Sequence, residues 1–296
     1  MRLIEDIAST RSFIKISENK GVLYSLSLMG RKNKFFLLCC RSDVSGGDLT
    51  LTGAEIIICT SSLQEKGDTV KGLNNNQLKV IAMIAMTCDH VGILLFPQIT
   101  LLRMIGRLAF PIYAYMIAEG CSHTRNMGKY FCSVAAMAIL CQLVYWFAQG
   151  SLYQCILVTF SLSICLCRLA KLACDKQKIW TWLVFGLAVI GIYLITDILP
   201  GILTDTDFAV DYGFFGVVLP VGIYLAKRKQ QKLLFTMAGL CLVALSADPI
   251  QWYALFALPL LALYNGDRGT GYMKWIFYFY YPAHLVLLWL IACFVS

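Results

Sequence analysis

The chain has 296 residues, of which 59% are hydrophobic and only 14% charged, and its formal net charge is +8. Soluble domains carry about 25% charged residues, so this composition excludes an ordinary soluble protein and predicts a membrane protein. The basic residues occupy short loops between apolar runs, which argues against nucleic-acid binding. The 13 cysteines lie mostly within apolar runs and form no Cys-x-x-Cys motif, so we interpret them as packing residues that bind no metal.

The first 70 residues differ from the rest of the chain. They mix polar and apolar residues, contain turn-rich pieces such as SDVSGGD, and include no run long enough to span a membrane. Residues 49–60, LTLTGAEIIICT, favour a strand or a short hairpin. We predict that residues 1–70 form a flexible or weakly folded cytosolic extension without catalytic chemistry.

The remainder, residues 77–296, predicts an all-α polytopic membrane domain with about nine transmembrane helices, in a range of eight to ten. The predicted spans are 78–96, 101–120, 130–148, 152–170, 179–199, 208–226, 232–247, 249–264 and 273–295. Loops after even-numbered spans contain Lys and Arg, whereas loops after odd-numbered spans contain none. The positive-inside rule then places the N-terminus in the cytosol and the C-terminus outside.

Ionisable residues concentrate in the first predicted helical pair, between Leu78 and Tyr130. Each such group costs about 2.5–3.5 kcal/mol at the centre of an inserted helix, so several in one pair predict a functional site. His90 and Arg107 lie equally far from the outer ends of their spans, which predicts an ion pair between Asp89 and Arg107. His284 in the last span lies within about 3 Å of the depth of His90 at helical rise.

These residue types fit acid–base chemistry on an amine or a hydroxyl. An imidazole at His90 can take a proton near neutral pH, and either His284 or a backbone carbonyl can orient it. Arg107 either serves as the counter-ion of Asp89 or stabilises an oxyanion. Pro111 and Pro282 each leave a backbone acceptor free within the membrane. Basic residues at the cytosolic mouth are candidates to hold the phosphates of a nucleotide-tailed donor.

The site prediction comprises two groups of residues, chosen by depth, charge and the motifs quoted below. The predicted catalytic residues are Asp89, His90, Arg107 and His284. The predicted substrate- or cofactor-binding residues are Lys79, Arg103, Glu119, His123, Arg125, Lys129, Asp211 and Tyr281.

Several of these residues also have structural explanations, which stay open at this point. His284 fits a core histidine beside a proline kink, and Arg103 fits a side chain that snorkels to the interface. Glu119 and His123 fit a local i, i+4 pair. Asp211 fits a solvated loop residue, and Tyr281 fits helix packing.

Four motifs occur in order: LKVIAMIAMTCDHVGIL, RLAFPIYAYMIAEGCSHTRNMGKY, DYGFFGVVLPVGIYL and KWIFYFYYPAHLVLL. Together they resemble the TraX family, named for the enzyme that N-acetylates F-pilin during conjugation, over about residues 77–296. Lys79 and His90, with ten residues between them, are also similar to the Arg-x10-His pattern of the transmembrane acyltransferase-3 family, with Lys in place of Arg. The matching TraX positions are Asp89, His90, Arg107, Pro111, Glu119, His123, Thr124, Arg125, Asp211, Tyr212, Gly213, Tyr281, Pro282 and His284.

The resemblance implies an acyltransferase of the bacterial cytoplasmic membrane. It implies acetyl-CoA as the donor and an amine or hydroxyl of an envelope-bound or membrane-embedded acceptor, such as a pilin-like peptide or a glycan. The expected partners are the acyl-CoA donor, membrane lipid and this acceptor, with no nucleic acid. An ion- or proton-coupled transporter is the alternative, because its pathway also requires Asp, His and Arg within broken helices. A non-catalytic scaffold is the third possibility.

Overall fold

A computed structural model describes residues 13–19, 22–31, 34–45, 48–55, 72–267 and 274–295 of the chain. The chain divides into two units, Met1–Thr69 and Val70–Ser296. The described part of the first unit is a β-sheet, and the described part of the second is helical apart from two isolated bridges. All of the predicted site residues lie in the second unit.

The sheet of the first unit is an antiparallel meander in the order β1-β2-β3-β4. Its strands are β1 Phe13–Asn19, β2 Val22–Arg31, β3 Lys34–Ser45 and β4 Asp48–Glu55. Consecutive strands are separated by only two residues, the spacing of tight hairpins, and Gly46–Gly47 has the composition that such turns favour. The sequence predicted a strand or hairpin only within residues 49–60, so it missed β1, β2 and β3. The flexibility and cytosolic location of this extension stay predictions.

The second unit contains eleven α-helices within its described residues. They are α1 Asn75–Leu94, α2 Thr100–Gly106, α3 Ala109–His123, α4 Met127–Gln149, α5 Ile156–Lys176, α6 Ile179–Tyr193, α7 Leu199–Ile202, α8 Gly213–Leu225, α9 Lys229–Ser246, α10 Ala257–Ala262 and α11 Lys274–Val295. A π-helical segment, Leu194–Ile198, joins α6 to α7, and a 3-10 helix, Pro249–Phe256, precedes α10.

Five helical stretches among the described residues are long and apolar enough to cross a membrane. They are Asn75–Leu94, Thr100–His123, Met127–Ala148, Ile156–Lys176 and Ile179–Ile202. Three shorter apolar stretches follow, Gly213–Leu225, Pro249–Ala262 and Phe279–Phe294. The chain is therefore a helical membrane protein, whereas nine spans and the orientation of the termini stay predictions.

Proline explains where the second predicted span is interrupted. The sequence predicted one helix over 101–120, but the structure has α2 and α3 with a break at Arg107 and Leu108. Pro111 has no N–H for the carbonyl of Arg107, and its ring crowds that carbonyl, so regular helix cannot continue through this point. Arg107 is the C-cap of α2, and its guanidinium meets Asp89 on the neighbouring helix α1.

Three other predicted spans differ from the observed helices. The span predicted at 208–226 begins only at Gly213, because Leu203–Tyr212 forms a loop that bonds to the α4–α5 connection. The span predicted at 249–264 is divided into the 3-10 helix and α10. The fifth predicted span, 179–199, is interrupted by the π-helical segment. Pro200 has no N–H for the carbonyl of Thr196, which lies within that segment.

The helical bundle has two ends. We call the end at which α1 begins the Asn75 end, and the opposite end, just before Pro97, the Pro97 end. A capping box starts α1, with Asn74 and Gln77 each bonding the backbone of the other at 2.9 Å. Buried side chains of α3, α5, α8 and α9 form the centre of the bundle, among them Tyr115, Ile164 and Val217. Under the predicted topology the Asn75 end is cytosolic and the Pro97 end is extracytoplasmic.

Candidate active site

The bundle encloses a cavity of about 370 Å³ in its half nearer the Pro97 end. We call it the central cavity. On α1, α3 and α11, the lining residues nearest the Asn75 end are Met86, Tyr113 and Tyr281. Of the predicted site residues, Asp89, His90, Arg103, Arg107, Asp211 and Tyr281 line the central cavity. The structure therefore brings together residues that are separated by up to about two thirds of the chain.

The predicted ion pair between Asp89 and Arg107 is present. Nη2 of Arg107 donates to both carboxylate oxygens of Asp89 at 2.5 Å, and the two side chains are only 9% and 16% exposed. The pair links α1 to the break between α2 and α3. Because each group neutralises the other, both charges are tolerated inside the bundle, and the guanidinium is held in one position.

Gly106 permits this close approach. A Cβ atom at this position would overlap the Cβ and the carboxylate of Asp89, so α2 can lie against Asp89 only where the side chain is absent. Gly106 thus acts on the site through the position of Asp89 rather than through any chemistry of its own. Gly106 is not among the site residues predicted from the sequence, because nothing in the sequence shows that it contacts Asp89.

We expect Gly106→Ala to destabilise the protein by about 1–3 kcal/mol, the usual cost of overpacking a tight contact. The added methyl group must push Asp89 away from Arg107 or separate α1 from α2. Thermal unfolding in detergent measures the change. Gly191→Ala in α6 is the matched control, because a Cβ there meets no atom within 4 Å. Equal stability of the two variants would contradict this role of Gly106.

The second predicted contact joins His90 to His284. Nε2 of His284 lies 3.1 Å from Nδ1 of His90, and Nδ1 of His284 lies 3.0 Å from the backbone carbonyl of Tyr280. A carbonyl only accepts, so Nδ1 of His284 carries a proton, and in a neutral ring Nε2 must then accept. Nδ1 of His90 is the donor to it, which leaves Nε2 of His90 as an unprotonated acceptor.

The two imidazoles are held by aromatic packing as well. The Tyr281 ring meets His284 edge-on with ring centroids 5.3 Å apart, and it meets His90 in the same way at 6.4 Å. His284 and Tyr281 are both buried. His284 does not line the central cavity, so it contacts that space only through His90. The pair thus places one imidazole, that of His90, on the lining of the central cavity, with a second imidazole behind it.

The loops over the Pro97 end fix Asp211. Its backbone N–H donates to Gln154 at 3.1 Å, its carbonyl accepts from Thr159 at 2.7 Å, and its Oδ1 accepts from Tyr153 at 2.8 Å. These bonds exclude the interpretation of Asp211 as a merely solvated loop residue. Next to it, Tyr212 adopts the left-handed conformation with φ 63°, and its ring stacks on Phe110 at 3.8 Å.

Asp211 gives the site a titrating group outside the membrane helices. Burial raises its pKa to about 6 from an ordinary value of 3.8, although the hydrogen bond from Tyr153 and the charge of Arg107 oppose this shift. The folded protein therefore binds this proton more tightly than the unfolded chain does. The associated stability is fully present below about pH 4 and is lost as the pH rises through about 6.

We therefore expect Asp211→Asn to change how stability depends on pH. Asparagine retains the oxygen that accepts from Tyr153 but does not titrate. The midpoint temperature of the wild type minus that of the variant should fall as the pH is raised from about 4 to about 6, and it should level off above that. A difference that stays constant over this range would contradict the raised pKa.

Several lining residues were missed by sequence reasoning. Tyr153 and Gln251 line the central cavity from loops and from the 3-10 helix, and Tyr145 lines it from α4. Gln251 is buried, and its Oε1 has no hydrogen-bond partner among the described residues. No signal in the sequence separates these residues from ordinary interface tyrosines and amides.

The candidate binding residues at the Asn75 end lie away from the central cavity. Lys79, Glu119, His123, Arg125 and Lys129 are all absent from its lining. Glu119 is about 9 Å along α3 from Tyr113, the lining residue of that helix nearest to it. Basic residues at this end are the predicted holders of the donor phosphates, but the lining of the central cavity stops at Met86, Tyr113 and Tyr281.

Glu119 has a structural partner that the sequence did not indicate. The ammonium of Lys232 on α9 donates to one carboxylate oxygen of Glu119, and Nδ1 of His123 lies 3.5 Å from the other. The predicted local pair with His123 is thus present within a larger cluster. Arg125 and Lys129 are exposed. Arg103 lines the central cavity, and its Nε is buried without a hydrogen-bond partner in the described chain, so it does not simply snorkel outward.

Comparison with known proteins decides the family. A family model described as "TraX protein" matches residues 74–292, which is most of the second unit. The chain belongs to the TraX family. The match includes both helices that carry the histidine pair, the break at Arg107 and the loop of Asp211, so the central cavity is built within the TraX region.

Two curated relatives were found. The chain is 27% identical over 244 residues to "Probable fimbrial assembly protein FimC, serogroup H1" of Dichelobacter nodosus, covering 72% of this chain and 93% of the relative. It is 50% identical over 38 residues to "Uncharacterized protein RP591" of Rickettsia prowazekii (strain Madrid E), which covers 13% of this chain and 15% of that protein. No solved structure matches the TraX chain.

Proposed function

We propose that this TraX protein is an integral membrane acyltransferase of the bacterial cytoplasmic membrane. It would transfer acetyl from cytosolic acetyl-CoA to an amine or hydroxyl of an acceptor in the envelope or the membrane, such as a pilin-like peptide or a glycan. One observation carries the proposal: His90 lies on the lining of the central cavity, and His284 bonds its Nδ1, which leaves Nε2 as the unprotonated nitrogen of the ring. TraX membership and the fimbrial-assembly name of a relative agree with it.

The chemistry assigns one role to each group. Nε2 of His90 takes the proton from the acceptor N–H or O–H as its nitrogen or oxygen attacks the thioester carbonyl carbon. The carbon–sulfur bond breaks, and the CoA thiolate leaves with the proton that His90 returns. His284, whose Nε2 accepts from Nδ1 of His90, stabilises the transient imidazolium. Arg107, held by Asp89, supplies positive charge near the developing oxyanion.

The donor and the acceptor would approach from opposite ends. Basic side chains at the Asn75 end, including Arg125 and Lys129, suit the phosphates of acetyl-CoA. Lys79 and His90 are about 16 Å apart along α1, so a thioester arm must cover that length. The lining of the central cavity stops at Met86 on α1, Tyr113 on α3 and Tyr281 on α11. For the donor to enter from the Asn75 end, these three helices would have to separate. The acceptor would enter from the Pro97 end.

The test uses the full chain in lipid nanodiscs with acetyl-labelled acetyl-CoA and an envelope fraction of a bacterium that carries this protein. We expect labelled acceptor together with one equivalent of free CoA thiol. If no label is transferred and no CoA is released, but ions or protons are taken up in proteoliposomes, the protein is a transporter and not an acyltransferase. If both activities are absent, the protein is a non-catalytic scaffold.

A further inference from the structure

A second cross-link joins the same two helices as the histidine pair. The hydroxyl oxygens of Thr87 on α1 and Tyr280 on α11 lie 2.5 Å apart. Thr87 is three residues before His90, and Tyr280 is four residues before His284, so this contact lies one turn closer to the Asn75 end. Helices α1 and α11 are therefore joined by two contacts, one helical turn apart.

A second contact of the Thr87 hydroxyl shows which group donates in the Thr87–Tyr280 hydrogen bond. The Thr87 hydroxyl also lies 2.9 Å from the backbone carbonyl of Met83, and a carbonyl only accepts. The single hydroxyl hydrogen of Thr87 is thus used on Met83, and the Tyr280 hydroxyl must donate to Thr87. Since the Thr87 oxygen is fixed by its own helix, it anchors the end of the Tyr280 ring.

Tyr280 in turn restrains His284 in two ways. Its backbone carbonyl accepts from Nδ1 of His284 at 3.0 Å. Its ring lies almost parallel to the imidazole, with an interplanar angle of 9° and ring centroids 5.2 Å apart. A ring that is clamped at its hydroxyl and stacked on the imidazole prevents His284 from rotating away from the carbonyl.

We propose that Thr87 and Tyr280 are positioning residues that fix the tautomer of the histidine pair. As long as Tyr280 is anchored, Nδ1 of His284 stays protonated, its Nε2 accepts from His90, and Nε2 of His90 remains a base. Without the anchor, the His284 ring is free to turn, and the direction of the His90 bond is no longer determined. The tautomer assignment is independent of any activity, whereas its catalytic consequence rests on the proposed function.

Nitrogen NMR of the imidazoles tests the tautomers directly. The chain has only three histidines, so ¹⁵N-histidine labelling of the full protein in nanodiscs gives three rings, which single His→Gln variants assign. In the wild type we expect His90 and His284 to carry their proton on Nδ1. In Tyr280→Phe and Thr87→Val, a second population with protonated Nε2 should appear for both rings. Unchanged spectra in both variants would overturn the proposal.

Matched variants separate positioning from general loss of structure. Thr87→Ser retains the hydroxyl and should retain the wild-type spectrum. Thr236→Val removes a buried hydroxyl on α9 that bonds the carbonyl four residues back, at 2.7 Å, without touching the histidine pair. It should leave both rings unchanged, and a shift as large as that of Thr87→Val would also overturn the proposal.

Kinetics then test the catalytic consequence. If acyl transfer is observed, Thr87→Val and Tyr280→Phe should each lower kcat about 10- to 100-fold with little change in KM. The double variant should be no slower than the worse single variant, because both changes break one contact. Additive losses would contradict a shared role. Absence of acyl transfer in the wild type refutes the proposed function alone, since the NMR result does not depend on it.

Discussion

Replacing His90 with glutamine is expected to lower the rate of acyl transfer by about 10²–10⁴-fold, the usual contribution of a general base. Glutamine keeps a polar side chain that can bond His284, but it has no group that takes a proton near neutral pH. The rate is measured as release of free CoA thiol and as label transferred from acetyl-CoA. KM for the donor should change little, because the imidazole is assigned to the proton transfer and not to binding.

Cys88→Ala is the matched control for this prediction. Cys88 is two residues before His90 on α1, it does not line the central cavity, and its thiol is the nearest alternative nucleophile on that helix. We expect it to retain the wild-type rate. A folded His90→Gln protein that keeps more than about a tenth of the wild-type rate would exclude His90 as the base.

The largest expected effect on stability comes from breaking the ion pair on one side only. Arg107→Met should destabilise the protein by about 3–5 kcal/mol, because it leaves the Asp89 carboxylate buried without its partner. The double variant Asp89→Asn/Arg107→Met removes both charges and should recover most of this loss. It should remain inactive, since the guanidinium is gone. Unfolding midpoints in detergent, compared as a double-mutant cycle, give the coupling energy.

An exposed basic residue provides the control for charge removal. Lys171 lies on the exposed side of α5, so Lys171→Met should change stability by less than about 0.5 kcal/mol. If Arg107→Met were equally mild, the Asp89 carboxylate would have to be solvated or protonated in the folded protein. If the double variant were as unstable as the single one, the loss would come from packing of the guanidinium and not from its charge.

Counting residues along the predicted spans was sufficient to find the centre of the site. Helical rise converts sequence position into depth, so His90 and Arg107 were placed at one level, and His284 close to it. The pairing of Asp89 with Arg107 was therefore predictable without any coordinates, whereas His284 was one of two candidates to orient His90, the other being a backbone carbonyl. Charges buried in lipid require partners, which leaves few alternatives once their depths agree.

Contacts between loops, and contacts between uncharged hydroxyl groups, were not predictable from depth in this way. Tyr153 meets Asp211 across connections that are far apart in the chain, and depth counting does not apply to loops. The hydroxyls of Thr87 and Tyr280 are common in membrane helices and carry no charge that demands a partner. Pro111 was recognised as leaving a carbonyl free, but whether a helix bends or breaks at a proline depends on what packs around it.

The order in which the chain is made gives the histidine pair a further property. His90 and His284 are separated by 194 positions and lie on the first and the last helix of the membrane unit. During synthesis the Asp89–Arg107 contact needs only neighbouring segments, so it can form early. His90 meets His284 only after α11 has entered the bilayer. A chain that ends before α11 would therefore lack the histidine pair, and under the proposed function it would have no oriented base.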